Sequence, residues 1–291
     1  MELKSYLAER GKLVGDYLHQ RLGQGSISPV DEAMEYSVEA GGKRLRPILM
    51  MAAADAAGAD GTKFLPVASA LEMIHTYSLI HDDLPSMDND DYRRGRLTNH
   101  KVYGDAMALL AGDGLLTQAF EVMLEQPGVD PAVLLKVVRL VAHCAGPVGM
   151  VGGQALDITS EDKHLSAAEM KQLHEAKTGA LFVAAVRGGA LLAGADAKTL
   201  EDLTHFAKLF GLAFQITDDI LDVVGDAAVM GKSKGSDERL HKSTYVSLYS
   251  LEKAREMAAE TLREAEAVLA PYGEKAEVLL EITRYLYNRK K

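Results

Sequence analysis

The 291-residue chain is 47% apolar and 25% charged, which suits a globular fold with a large core and excludes disorder and disulfide-stapled miniproteins. Its 42 acidic and 32 basic side chains leave a net charge of −10, a surface that repels nucleic acid and anionic membranes at long range. One cysteine, Cys144, permits no intramolecular disulfide, and the charged start MELKSYLAERGKLVGDY has no apolar leader core, so a cytoplasmic location without membrane insertion is expected.

Apolar residues at three- and four-residue spacing predict helices near 2–22, 30–40, 44–57 and 63–84, then near 105–125, 131–145 and 148–158. Further helices are predicted near 167–195, 198–225, 243–270 and 274–288. Asp130 before Pro131 marks one helix start, and Ser166 with Glu169 three residues on marks another as a capping box. The longest apolar stretch, 178–195, contains Arg187 and four glycines, which fits a buried helix better than a membrane span. Strand alternation and hairpin signals are missing, and no linker composition divides the chain. The expected architecture is therefore all-α, a single domain over residues 1–291. The polar, glycine-containing segments 85–104 and 226–242 read as loops.

Two of these helices end in aspartates. Asp218 and Asp222 stand at i and i+4, about 40° apart around a helix axis, so their carboxylates share one face. Like charges at that spacing destabilise a helix by a few tenths of a kcal/mol, a repulsion that a divalent cation offsets. Oxygen-only ligands favour Mg²⁺ or Ca²⁺ over zinc. Asp82, Asp83 and Asp88 form the other cluster, in which Asp82 and Asp88 would be about 120° out of phase on a straight helix. Pro85 disfavours helix at Leu84, so the chain is expected to curl back there and return Asp88 towards Asp82. The spacing leaves open whether Asp88, Asp90 or Asp91 reaches a metal.

Each aspartate cluster precedes a loop that carries cations: Arg93 and Arg94 in one, Lys232 and Lys242 in the other. Acid clusters beside basic loops suit recognition of a diphosphate with Mg²⁺, since Mg²⁺ keeps few carboxylate ligands and bridges to phosphate oxygens. A third basic group follows Gly41-Gly42, where Lys43 and Arg46 at i and i+3 can face one anion. His75 lies on the same predicted helix as Asp82. No Walker A loop, GxGxxG, CxxC or Ser-His-Asp order is present.

GGKRLRP, EMIHTYSLIHDDLPSMDNDDYRRGRLTNH, GGQALD, KTGAL, FQITDDILD and GKSKGSDERLHKSTY occur here in the order found in trans-isoprenyl diphosphate synthases. The whole chain resembles the bacterial farnesyl diphosphate synthases, whose first motif has the same long DDxxxxD form. The resemblance implies an isoprenoid-synthase-type bundle around a deep central cavity, usually a homodimer, that condenses isopentenyl diphosphate with dimethylallyl and geranyl diphosphates. It implies Mg²⁺, about three ions per substrate-bound site, held by Asp82 and Asp88 on one wall and Asp218 and Asp222 on the other, with Asp83 and Asp219 in support. Arg93, Lys177, Lys232 and Lys242 would contact the allylic diphosphate; Lys43, Arg46, His75 and Arg94 would bind isopentenyl diphosphate. Oxygens of Lys177, Thr178 and Gln215 would stabilise the allylic cation. Gly153, Gln154 and Asp157 match a further motif, and the tail Arg289-Lys290-Lys291 is expected to close over the second diphosphate.

Product length is expected to depend on Tyr77 and Ser78. Tyr77 lies five residues before Asp82, about 7.5 Å along the helix, where a ring can floor the cavity. A tyrosine there resembles the farnesyl-producing enzymes, with geranylgeranyl diphosphate the alternative product. Among other activities, a terpene cyclase is disfavoured by the absence of Trp and by 6% aromatics. A histidine–aspartate phosphohydrolase leaves the second aspartate cluster idle, and a catalytically silent subunit needs neither cluster.

Overall fold

The computed structural model describes residues 2–22, 28–160, 163, 165–224 and 243–287. Its helices are α1 (Leu3–Leu22), α2 (Val30–Glu39), α3 (Leu45–Ala56), α4 (Leu65–Asp82), α5 (Asn99–Tyr103), α6 (Asp105–Leu124) and α7 (Pro131–Ala145). They continue with α8 (Met150–Thr159), α9 (Ala167–His174), α10 (Ala180–Leu192), α11 (Ala197–Val224), α12 (Tyr245–Tyr249), α13 (Leu251–Leu269) and α14 (Glu277–Tyr287). Among the described residues the fold is all-α apart from one small hairpin.

Helix starts follow local chemistry. The Asp130 carboxylate accepts from the amides of Ala132 and Val133 ahead of α7. Ser166 and Glu169 form the reciprocal capping box of α9. The central helix is α10, whose Leu181, Phe182, Ala185, Val186 and Ala190 are fully buried. It packs on α3, α7 and α11, while α4 lies along α6 and α11 along α13. Gly189 permits the α3 crossing, since a Cβ there would stand 2.1 Å from the Met50 carbonyl oxygen. One apolar core runs from Tyr6 on α1 to Leu286 on α14, and a smaller one joins Met170, Ile216, Ile220 and Tyr245. Two helical stretches, Asp105–Leu124 and Pro131–Thr159, are long and apolar enough to cross a membrane, yet α6 packs on α4 and α7 on α10.

Four elements differ from the sequence expectation. Segment 63–84 starts as a 3₁₀ turn, Gly61–Phe64, before α4. Segment 167–195 is interrupted by a π turn, Glu175–Gly179, between α9 and α10. Segment 243–270 breaks at Ser250, whose φ of 126° no helix accepts. The expected loop 85–104 contains a hairpin, β1 (Tyr92–Arg93) paired antiparallel with β2 (Arg96–Leu97), followed by α5. Arg94 and Gly95, with φ of 53° and 76°, are its two turn residues. Positive φ at both positions is the geometry of the tight hairpin turn.

Candidate active site

A cavity of about 690 Å³ opens between α4, α8, the π turn and α11. Asp82 and Asp88 line one wall and Asp218 and Asp219 the wall opposite, with Arg46, His75, Arg93, Lys177, Thr178 and Gln215 between them.

The aspartate loop curls as Pro85 requires. α4 ends at Asp82, Leu84 N–H donates to the His81 carbonyl, and Asp88 N–H reaches back to the Asp82 carbonyl at 2.9 Å. Asn89, with φ of 52°, turns the chain out again. Of the three late aspartates, Asp88 faces the cavity, whereas Asp91 is exposed and bridges to Lys101 at 2.7 Å. Burial pushes the Asp82 carboxyl up to about 6; Lys177 opposes this shift and Asp88 adds to it.

Asp83 and Asp219 turn into the protein. Asp83 accepts from Arg93 Nε with both oxygens at 2.8 Å. Asp219 accepts from Gln215 Nε2 at 2.9 Å and from Tyr245 N–H at 2.8 Å. Both are nearly inaccessible: Asp83 stands behind the cavity, and Asp219 borders it with both oxygens engaged by protein donors. Asp222 lies one turn beyond Asp218 and outside the cavity lining. Among the described residues the one cluster with oxygen and nitrogen donors already converged for an ion is His19, Glu35 and Glu39 on α1 and α2.

The cations divide into two groups. Arg93 is gripped by Asp83 at the cavity edge, and Lys177 Nζ donates to Asp157 at 2.6 Å. On the other side, Arg46 stacks over the Phe182 ring at 4.9 Å, and burial lowers its pKa to about 10. His75 is held well below its ordinary pKa, first by burial and then by Arg46, Arg94, Arg93 and Arg44. Arg94 donates to the Gly41 carbonyl and fills the space where a Gly42 Cβ would lie, 2.5 Å from Cζ. Lys43 faces a second cavity of about 510 Å³, separated from the first by Phe214. Lys232, Lys242 and the tail Arg289-Lys290-Lys291 lie outside the described residues.

The π turn carries Lys177 and Thr178. Its i→i+5 pattern widens the helix and leaves backbone carbonyls out of the regular ladder, a common device at functional sites. Gly153 on α8 is the reason it can approach, since a Cβ would come within 2.2 Å of the Lys177 nitrogen. Thr178 Oγ1 donates to Gln215 Oε1 at 3.1 Å, and Gln215 in turn donates to Asp219. Because the carboxylate only accepts, the Gln215 amide must turn its NH₂ to Asp219 and its oxygen to Thr178. Thr178 and Gln215 both line the cavity. The Gly153 contact was not apparent as such in the sequence, though the Gly-Gly-Gln motif marked its position.

At the base, Tyr77 lines the cavity and meets His81 edge-on at 5.6 Å. His81 Nε2 lies 2.9 Å from the Leu109 carbonyl of α6, and its ring leaves no room for a Cβ at Gly112. Ser78, one turn before Asp82, also lines the cavity and donates to the His75 carbonyl at 2.9 Å.

Helices converging on an acidic, arginine-edged cavity define an all-α isoprenoid synthase fold, and a solved structure shares it. The FPP/GFPP synthase of Zymomonas mobilis superposes with a TM-score of 0.88 at 37% identity, covering 98% of each chain. The chain belongs to the polyprenyl synthetase family, whose profile matches residues 28–281. It is 54% identical to the farnesyl diphosphate synthase of Geobacillus stearothermophilus over 230 residues, 78% of this chain and 77% of that one. It is 45% identical to the geranylgeranyl diphosphate synthase of Cyanophora paradoxa over 289 residues, 99% and 96% of the two chains. The protein is therefore a trans-prenyltransferase, an enzyme of a family whose substrates are isopentenyl and allylic diphosphates.

Proposed function

We propose that the protein makes (2E,6E)-farnesyl diphosphate by adding isopentenyl diphosphate head to tail, first to dimethylallyl and then to geranyl diphosphate. Tyr77 carries this reading. Its ring, braced by His81 about 7.5 Å of helix below Asp82, is placed to stop a growing chain at fifteen carbons. The Geobacillus relative supports the same product, and the Cyanophora relative favours a second reading, geranylgeranyl diphosphate.

Asp82, Asp88 and Asp218 line the cavity with oxygen donors, and Asp82 holds a half-buried carboxyl with no hydrogen bond or ion pair among the described residues. That set fits Mg²⁺. Asp82, Asp88, Asp218 and Asp222 would hold it, and when bound it would supply electrostatic stabilisation of the leaving diphosphate.

The allylic C1–O bond breaks first, while Arg93 and Lys177 balance charge gathering on the departing diphosphate. The Lys177 carbonyl and the Thr178 and Gln215 oxygens face the allylic cation. Arg46 and His75, with Lys43 and Arg94 behind them, hold isopentenyl diphosphate so that its C4 attacks C1. Its C2 then loses a proton to the released diphosphate, which re-forms a double bond and balances the charge. The walls exclude water, which would quench the cation.

We also read residues 1–291 as one cytoplasmic domain. Leu109 and Leu110 on α6, Leu135 on α7 and Val151 on α8 are exposed apolar side chains that suit the face of a homodimer. The test of function is incubation with dimethylallyl and isopentenyl diphosphates plus Mg²⁺, then chromatography of the dephosphorylated products. Farnesol as the main alcohol is expected. A C20 end product would favour the second reading, and cyclic hydrocarbons or phosphate release alone would overturn both.

A further inference from the structure

Glu72 lies on α4, one turn before Thr76 and three residues before His75, in an otherwise apolar stretch. It is 1% exposed, and its Oε1 accepts from Arg44 Nη1 at 2.9 Å. Arg44, itself buried, donates through Nη2 to the Val38 carbonyl on α2. Arg44 is also the residue before α3, and its backbone is left-handed, with φ 48° and ψ 35°. An L-residue pays sterically for that conformation and holds it when its surroundings determine it. Here the determinants are two buried hydrogen bonds that tie one guanidinium to α4 and α2.

The consequence falls on the neighbours. Lys43 precedes Arg44, and Arg46 stands in the first turn of α3, so the bend at Arg44 sets the relative direction of both cations. Arg94 closes over the same turn through its bond to Gly41. Burial and Arg94 disfavour the charged form of Arg46, and Glu72 favours it; Glu72 likewise favours charge on Arg94. The carboxylate thus serves as a resident counter-charge where three guanidinium groups crowd together before any substrate arrives.

We propose that Glu72 is a positioning residue for isopentenyl diphosphate: by holding Arg44 in its left-handed bend, it fixes the direction of Arg46 on the cavity wall and of Lys43 on the other side of the bend, and keeps that arrangement formed when the site is empty. The inference rests on the reading of Lys43, Arg46, His75 and Arg94 as the isopentenyl diphosphate site. Pre-formed cations bind an anion without the cost of ordering them on arrival. The allylic side has its own anchor, since Arg93 is held by Asp83, not by Glu72.

The test is steady-state kinetics with each substrate varied in turn at saturating Mg²⁺. Glu72→Gln should raise KM for isopentenyl diphosphate at least about tenfold, a loss of the size expected for a charge-assisted contact. KM for the allylic substrate should stay within about twofold, and kcat within a few-fold. Glu72→Asp, which retains the charge, should recover part of the affinity. A general structural role would instead lower the active fraction and kcat without separating the two KM values. Because an unpaired buried arginine can prevent folding, the double variant Arg44→Met/Glu72→Met, which removes both charges at similar volume, provides a second measurement. It should show the same selective rise; an unchanged KM for isopentenyl diphosphate in the folded double variant overturns the proposal. Lys43→Ala and Arg46→Ala separate the two levels. If they leave this KM unchanged, the site reading fails; if they raise it and Glu72→Gln does not, the role of Glu72 alone fails.

Discussion

Arg93 meets Asp83 as a fork on a carboxylate: Nε lies 2.8 Å from both oxygens, and the Asp83 carboxylate is almost wholly shielded from water. The next residue, Arg94, points the other way, to the Gly41 carbonyl. Arg93 ends β1 and Arg94 opens the tight turn with a left-handed backbone, so two adjacent arginines serve opposite sides of the site.

Their substitutions should therefore differ. Arg94→Ala is expected to raise KM for isopentenyl diphosphate, and Arg93→Ala to impair the allylic partner, each by roughly 10- to 150-fold. Arg93→Ala also strands a buried carboxylate and should cost about 3 kcal/mol of stability. Kinetics with each substrate varied, alongside thermal melts, checks both parts. Equal effects on both substrates would remove the division.

The facing aspartates should control rate. Asp82→Ala or Asp218→Ala is expected to lower turnover at least about a hundredfold, since each removes part of the stabilisation of the leaving group. Turnover near wild type for either variant at saturating Mg²⁺ would take that residue out of the reaction.

Removing the Tyr77 ring should lengthen the product. Tyr77→Ala opens the base of the cavity towards His81 and Leu109 of α6. With ample isopentenyl diphosphate, chromatography should show geranylgeranyl or longer chains. Products that still stop at C15 would move the floor to the α6 side.

Stability should fall on the acid side through His174. Burial lowers this ring to about 4, with Lys177 adding to the shift and Asp157 opposing it. The unfolded ring titrates near 6.5, so between about 4 and 6.5 the unfolded chain binds more protons than the folded one. The folded state is thus fully favoured above pH 6.5 and loses ground as pH falls towards 4. His75, also depressed, acts in the same direction and persists when His174 is replaced. Thermal melts across that window should show a shallower slope for His174→Gln. Identical slopes would assign the proton uptake elsewhere.

Patterns set by local chemistry could be read from the chain alone. The capping box at Ser166, the proline start of α7 and the return of Asp88 to Asp82 each depend on residues a few positions apart. Periodicity likewise gave the long helices. What escaped depends on partners distant in sequence or on rare backbone states. The hairpin at Arg94-Gly95 lacks the Asn-Gly signal that marks such turns. The π turn packs Lys177 against Gly153, 24 residues away, a contact that no short window of sequence contains. Glu72 could have been flagged as a lone acid among apolar neighbours, but its partner Arg44 lies 28 residues away. Spacing did not separate Asp83 and Asp219 from Asp82 and Asp218; only the family resemblance cast them in support, and both are nearly inaccessible here.

The π turn makes segment length a stricter constraint than side-chain identity. It holds one residue more than an α-helix would use over the same advance. Winding Glu175–Gly179 as regular α-helix with every residue kept would twist α9 by about 100° relative to α10. His174 and Leu173 would then leave the cavity wall, or Phe182 would leave its packing on Phe210 and Phe214. The extra residue works as a phase shift that lets one continuous rod keep two incompatible alignments.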